Sequence, residues 1–137
     1  MSLNKIKIIN LPKIEDQRGN LSFYESLNHI LFEIKRTYWI YDVPGGQKRG
    51  GHAFKAQHEF IIALSGSFDV KLNDGISEKT FSLNRPSYGL YVPNMIWREM
   101  LNFSTNSLAL IVSSTNYSEI DYIRDYDEFR KLALDEK

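Results

Sequence analysis

Cysteine is absent from this 137-residue chain, which removes disulfide bridges, thiol nucleophiles and thiolate metal ligands together. Charge of one sign is not in excess either. Lys plus Arg and Asp plus Glu number 17 each, so no net field draws the protein onto nucleic acid or an anionic membrane. A local basic pocket is still allowed. No run approaches the ~20 apolar residues of a membrane span, and the opening Met1-Ser2-Leu3-Asn4 lacks the apolar stretch of a signal peptide. These absences point to a cytoplasmic protein. Hydrophobic residues make up 42% and charged residues 25%, a balance that fits a folded globular chain and not a disordered one. The length fits a single domain, residues 1–137.

Short β-rich runs punctuated by turn residues dominate the pattern: Lys5 to Asn10, Leu21 to Glu25, Ile34 to Asp42, Glu59 to Leu64, Ser67 to Asn73, Glu78 to Leu83, Tyr88 to Val92, Ile96 to Leu101 and Leu108 to Ser113. Such spacing predicts a sandwich or barrel. Ser67 to Leu72 alternates face by face and runs into Asn73-Asp74-Gly75, a tight-hairpin signal. Only the end reads as helix, with Tyr126, Phe129, Leu132 and Ala133 at helical spacing and Asp125 or Asp127 as a cap.

The chemistry concentrates between Gly46 and Gly66. The order is Gly46, five residues, His52, one residue, Phe54, four residues, Glu59, six residues, Gly66. This resembles the first cupin motif, in which a second His stands at the place of Phe54. The run Pro93-Asn94-Met95-Ile96-Trp97-Arg98-Glu99-Met100-Leu101-Asn102 is similar to the second cupin motif, with Met95 in place of Gly and Arg98 in place of His. The resemblance implies an all-β, RmlC-like jelly-roll barrel with a short C-terminal helix. Residues two apart on a strand share a face, so Phe54 is expected in the cavity beside His52. First-row metals need several His or carboxylate ligands, and only His52 and Glu59 are offered. Arg98 stays charged and repels a divalent ion, so no metal is expected.

Further segments sharpen the reading: Arg36 to Asp42, Arg49-Gly50-Gly51-His52-Ala53, Ser82 to Pro86, Gly89 to Pro93, Ile96 to Glu99 and Asp121 to Tyr126. Together they resemble the WxcM-like sugar nucleotide 3,4-ketoisomerases over nearly the whole chain. The resemblance implies a metal-free, strand-swapped homodimer that acts on dTDP-4-keto-6-deoxyglucose and moves its carbonyl from C4 to C3, without a redox cofactor, for surface-glycan amino-sugar biosynthesis. That family carries His-Ala-His-Lys where this chain reads His52-Ala53-Phe54-Lys55.

His52 is the candidate base and Arg98 the candidate stabiliser of an enediolate oxygen. Arg18, Arg49 and Lys55 are candidates for a pyrophosphate, Lys55 only at the rim because its strand parity faces away. Tyr38, Tyr91 and Trp97 are candidates to stack on the nucleotide base or donate a proton. Phe54 is expected to shape the pocket, and Glu59 to orient its neighbours. His58 should face away from the cavity, and His29 lies in a loop-like stretch. An N-terminal strand without an evident partner in the chain favours strand exchange. Two other functions stay open: a barrel that only binds a sugar nucleotide, and 3,5-epimerisation.

Overall fold

The computed structural model describes residues 2–135. Met1, Glu136 and Lys137, the outermost residues of the expected 1–137 domain, lie outside the described residues. Two five-stranded antiparallel sheets face each other. The first takes β1 (Lys7–Asn10), β9 (Tyr88–Val92), β6 (Glu59–Ser65), β11 (Leu108–Ser113) and β4 (Arg36–Tyr41) in that order. The second takes β12 (Tyr122–Ile123), β5 (Arg49–Phe54), β10 (Trp97–Leu101), β7 (Phe68–Asn73) and β8 (Glu78–Leu83). A small hairpin of β2 (Lys13–Ile14) and β3 (Leu21–Ser22) stands apart. The one α-helix among the described residues, α1 (Tyr126–Asp135), is too short to cross a membrane.

Alternation builds the core. In β7, Phe68, Val70 and Leu72 are buried while Asp69, Lys71 and Asn73 are not, as a strand with one covered face requires. Those three meet Ile61, Ala63, Leu90, Val92, Ala109 and Ile111 from the opposite sheet. A second cluster on the outer face of the first sheet gathers Phe60, Ile62 and Val112 under Leu11, Ile30 and Phe32. The third lies behind the second sheet, where Phe129 and Ala133 of α1 pack on Ala53, Trp97 and Ile123. Asp125 caps the helix by accepting the Glu128 N–H at 3.0 Å. Leu132, expected on the packed face, is 36% exposed.

Several boundaries differ from the sequence reading. The β7–β8 connection is a hairpin, but Asp74 to Ser77 form a longer loop in which Asp74 Oδ1 accepts the Ile76 and Ser77 N–H groups at 2.9 and 2.8 Å. That side-chain bonding stabilises a wider turn than Asn-Asp-Gly alone suggests. The expected strand from Leu21 to Glu25 shrinks to Leu21–Ser22, and β5, interrupted by Gly50 and Gly51, carried too weak a hydrophobic pattern to stand out. The expectation that the N-terminal strand lacks a partner is corrected: β1 pairs with β9 of the same chain, from Lys7 with Tyr91 to Asn10 with Tyr88.

Candidate active site

Cross-strand register sets the site. On the inner face of the second sheet, Arg98 of β10 stands directly opposite His52 of β5. The same alternation turns Ala53 and Trp97 outward beneath α1. From the facing sheet, β4 contributes Tyr38 and β6 contributes Glu59. Arg98 reaches across the barrel, with Nε 2.5 Å from Glu59 Oε1. Its Nη2 donates to Glu59 Oε2 at 3.2 Å and to the Tyr38 hydroxyl oxygen at 2.9 Å, and that hydroxyl itself donates to Glu59 Oε2. Arg98 and Glu59 are 2% and 1% exposed, so this is a desolvated ion pair whose retention depends on its geometry and added hydrogen bonds.

One edge of the guanidinium remains for the cavity. Nη1 has only Met100 Sδ, at 3.4 Å, as a partner. Gly50 makes that edge accessible: a Cβ there would lie 2.7 Å from Nη1, and its φ of +83° is one that side-chain-bearing residues rarely adopt. The cavity in front measures about 460 Å³ and is lined by Tyr38, Trp39, Ile40, Lys48, Arg49, Gly50, Gly51, His52, Arg98, Tyr122 and Arg124. That volume suits a small-molecule ligand.

The His52 ring makes edge contacts with Phe54 and Tyr122, with centroids at 4.9 and 5.1 Å, and its Nε2 has no hydrogen-bond partner. Burial, reinforced by the positive charges of Arg98 and Arg124, lowers its pKa to about 3, with Glu119 opposing. The imidazole is therefore neutral near pH 7 and able to accept a proton. Burial, above the influence of neighbouring charges, raises the Tyr38 hydroxyl well beyond the usual phenol range. Burial works against the charge of Arg98, but Glu59 and then Tyr38 outweigh it and hold the guanidinium protonated.

The structure brings His52, Arg98, Tyr38 and Arg49 to the cavity lining, and Glu59 directly behind Arg98. Phe54, expected in the cavity, is not among its lining residues; 4% exposed, it packs behind His52 and Tyr122, its ring 4.9 and 4.6 Å from theirs and 5.9 Å from the Arg98 guanidinium carbon. Four expected ligand contacts fall elsewhere. Trp97 faces α1, with its ring 5.8 Å from Phe129, because neighbours on a strand alternate and Arg98 takes the inner face. Tyr91 faces outward for the same reason and shares a 2.7 Å hydrogen bond with His58 Nδ1. His58 thus points away from the cavity. Arg18 lies between β2 and β3, 89% exposed and paired with Asp16 at 2.8 Å. Lys55 is exposed beyond the end of β5, where its carbonyl accepts Asn94 Nδ2 at 2.7 Å.

Tyr122 and Arg124 line the cavity without having been singled out as site residues. They come from a strap that β12 fastens to β5, Tyr122 opposite Phe54 and Ile123 opposite Ala53. Asp121 secures it by accepting the Ala56 and Gln57 N–H groups at 2.8 and 3.1 Å. The Arg124 guanidinium carbon lies 4.2 Å from the Tyr122 ring centroid, and its Nε and Nη2 donate to Glu119 at 2.7 and 3.1 Å. Nothing in local composition marks this pair, because it is the pairing to β5, far earlier in the chain, that turns it into cavity wall. Among the described residues, no three His, Cys, Asp or Glu side chains gather as a metal-binding group.

Comparisons with known proteins agree on one family. The family model FdtA, described as WxcM-like, C-terminal, matches residues 4–133. A curated relative, the TDP-4-oxo-6-deoxy-alpha-D-glucose-3,4-oxoisomerase of Aneurinibacillus thermoaerophilus, is 42% identical over 125 residues, covering 91% of this chain and 90% of that protein. The crystal structure of a 3,4-ketoisomerase from Helicobacter canadensis is 44% identical with a TM-score of 0.91, covering 94% of this chain and 97% of the other. QdtA, a sugar 3,4-ketoisomerase from Thermoanaerobacterium thermosaccharolyticum solved in complex with TDP, is 37% identical with a TM-score of 0.95 and 98% coverage of both chains. With its barrel, its inward His52 and Arg98, and matches along nearly its whole length, the chain belongs to the WxcM-like family of sugar nucleotide 3,4-ketoisomerases.

Proposed function

We propose that this chain converts dTDP-4-keto-6-deoxyglucose to a dTDP-3-keto-6-deoxyhexose, with His52 as the proton-shuttling base and Arg98 as the stabiliser of the enediolate. The observation that carries the assignment of roles is the opposition of a neutral, unpartnered imidazole and a fixed guanidinium edge on adjacent strands in one cavity. The C4 carbonyl acidifies the C3 proton. His52 removes that proton, and the C–H electrons form the C3–C4 double bond while the carbonyl electrons move onto the C4 oxygen. Arg98 offers Nη1 to this developing charge, already oriented by Glu59, and a cation held in place before the reaction stabilises it without reorganisation. Delivery of the proton to C4 and loss of the C3 hydroxyl proton complete the transfer of the carbonyl.

Lys48, Arg49 and Arg124 on the same cavity supply positive charge suited to a diphosphate. A bound dianion there also offsets the positive field on His52 and makes it a stronger base in the complex than in the free protein. Metal-free chemistry belongs to this reading, because Arg98 holds the Glu59 carboxylate that a metal would need. So do a homodimer and a cytoplasmic role in building amino sugars for surface glycans. Exchange of the N-terminal strand would place the β1–β9 pairing between copies, and sedimentation should then show twice the 16.0 kDa chain mass.

Turnover in D₂O followed by NMR tests the reaction. Appearance of the 3-keto product, with solvent deuterium or the shuttled C3 hydrogen at C4, supports ketoisomerisation; exchange at C5 supports 3,5-epimerisation; and neither product nor exchange leaves binding alone. His52→Asn should cut the rate by ~10²- to 10⁴-fold, the usual contribution of a general base.

A further inference from the structure

Behind Glu59 lies a buried amide that neither strand parity nor the family motif singles out. Gln57 is 2% exposed. Its Nε2 donates to Glu59 Oε2 at 2.9 Å. Its Oε1 accepts from Thr115 Oγ1 at 2.7 Å and from Arg36 Nη2 at 3.2 Å. Arg36 is itself held between the Tyr38 and Tyr117 rings, its guanidinium carbon 5.1 and 5.5 Å from their centroids.

The polarity of this chain of bonds is fixed at both ends. A guanidinium only donates and a carboxylate only accepts, so the amide between them has one satisfying orientation. Glu59 Oε2 consequently receives three donors, from Tyr38, Gln57 and Arg98. Rotation of that carboxylate would break all of them and carry Arg98 with it. We infer that Gln57 is a positioning residue for the 3,4-ketoisomerase reaction: held by Arg36 and Thr115, it locks the Glu59 carboxylate and thereby aims the Nη1 edge of Arg98 at the enediolate. The inference rests on the role given to Arg98 in the proposed function.

Gln57→Glu separates this from simple packing, because it keeps the shape and, when ionised, turns the one donor toward Glu59 into an acceptor. The introduced carboxyl faces Glu59, Arg98, Tyr38, Arg36 and the Asp121 carboxylate that accepts the backbone N–H of residue 57. Burial and the like charge of Glu59, whose oxygen lies at 2.9 Å, push the new group above the ordinary carboxyl range against the opposing charge of Arg36 at 3.2 Å. When protonated it donates to Glu59 as the amide does. When ionised it repels Glu59 and disturbs Arg98.

The assay is steady-state turnover of dTDP-4-keto-6-deoxyglucose by wild type and Gln57→Glu from pH 5.5 to 8.5. We expect kcat to fall roughly tenfold or more at the alkaline end, as misplacement by a fraction of an ångström does. KM should stay within about twofold, since the interaction concerns the transition state. The ratio of variant to wild-type kcat should climb toward one as pH falls. A variant whose ratio to wild type is constant across this range, or whose kcat is unchanged, overturns the inference. Should Gln57→Glu not fold, Thr115→Val tests the other side of the amide: a kcat lowered roughly threefold with KM held supports it, and an unchanged kcat overturns it. A wild type inert with this substrate overturns the function reading and the inference together, whereas an active wild type with indifferent variants sinks the inference alone.

Discussion

Replacing Glu59 by Gln removes one charge from an ion pair whose members are 2% and 1% exposed and leaves Arg98 as an uncompensated buried cation. Gln keeps an oxygen for the Tyr38 hydroxyl and the Gln57 amide, which share Oε2, only by turning its NH₂ toward the Arg98 Nε donor. Breaking a buried pair from one side costs about 3–5 kcal/mol. With an unfolding entropy of ~2.1 cal/mol/K per residue, 137 residues give about 0.29 kcal/mol/K, so the melting temperature should drop by about 10–17 °C. Urea titration at one fixed protein concentration measures the loss directly, provided the m-value is unchanged. The decisive arm is the double variant Glu59→Gln with Arg98→Met. Removing the orphaned cation should return about 2–3 kcal/mol relative to the single variant, since neighbours in one network couple by that order. Activity should be absent in the double variant, because the enediolate has lost its cation. A single variant destabilised by less than about 1 kcal/mol, or a double variant less stable than the single, would refute the picture of a pair kept for chemistry at a cost in stability.

Other perturbations probe separate parts of the site. Gly50→Ala should cost about 1–2 kcal/mol of stability from its positive φ alone, and should lower kcat because its methyl group would stand 2.7 Å from Arg98 Nη1; wild-type kinetics would show that this edge is not used. His52 titrates near 3 when folded and near its ordinary 6.5 when unfolded. The unfolded chain therefore binds more protons between those values, and stability should fall as pH drops below 6.5. His52→Phe should flatten this acid loss, while His58, lowered in the same direction by burial, keeps part of it; urea midpoints from pH 7 to pH 4 give the comparison. Phe54→His places a polar ring in the packed layer behind the cavity, at a position 4% exposed, which costs about 1–3 kcal/mol if its nitrogens find no partner. We expect no gain in turnover, and a large gain would show that Phe54 had disabled a two-histidine enzyme.

Part of the fold could be read from periodicity because strands such as β7 have one buried face, whereas β6 is covered on both. Phe68, Val70 and Leu72 of β7 announce themselves by alternation. By contrast β5 carries Gly50, Gly51 and His52, whose value lies in what they leave open and not in hydrophobic burial. Spacing placed His52 and Arg98 on inner faces, and the same alternation turns Trp97, the neighbour of Arg98, outward; Tyr91 had no such anchored neighbour. The aromatic character of Tyr91 suits a nucleotide base and a packed outer face equally well, and its contact with His58 decides between them. Gln57, Tyr122 and Arg124 were harder still. Each gains its role from contact with a segment distant in sequence: Gln57 with Arg36 and Thr115, and the strap with β5.

The strap has a consequence for how the enzyme comes into being. Every strand of the first sheet, and β5, β10, β7 and β8 of the second, lies before residue 114, so the barrel and its ion pair can assemble while the strap is still unattached. At that stage β5 presents an open edge, a template for pairing with another chain, and the wall that Tyr122 and Arg124 provide is missing. Docking of β12 and the packing of Phe129 behind it cover the Ala53–Phe54 end of that edge and supply the missing wall. Cleavage near the exposed Tyr117 would undo both at once, leaving a folded barrel that has lost its activity and become prone to self-association.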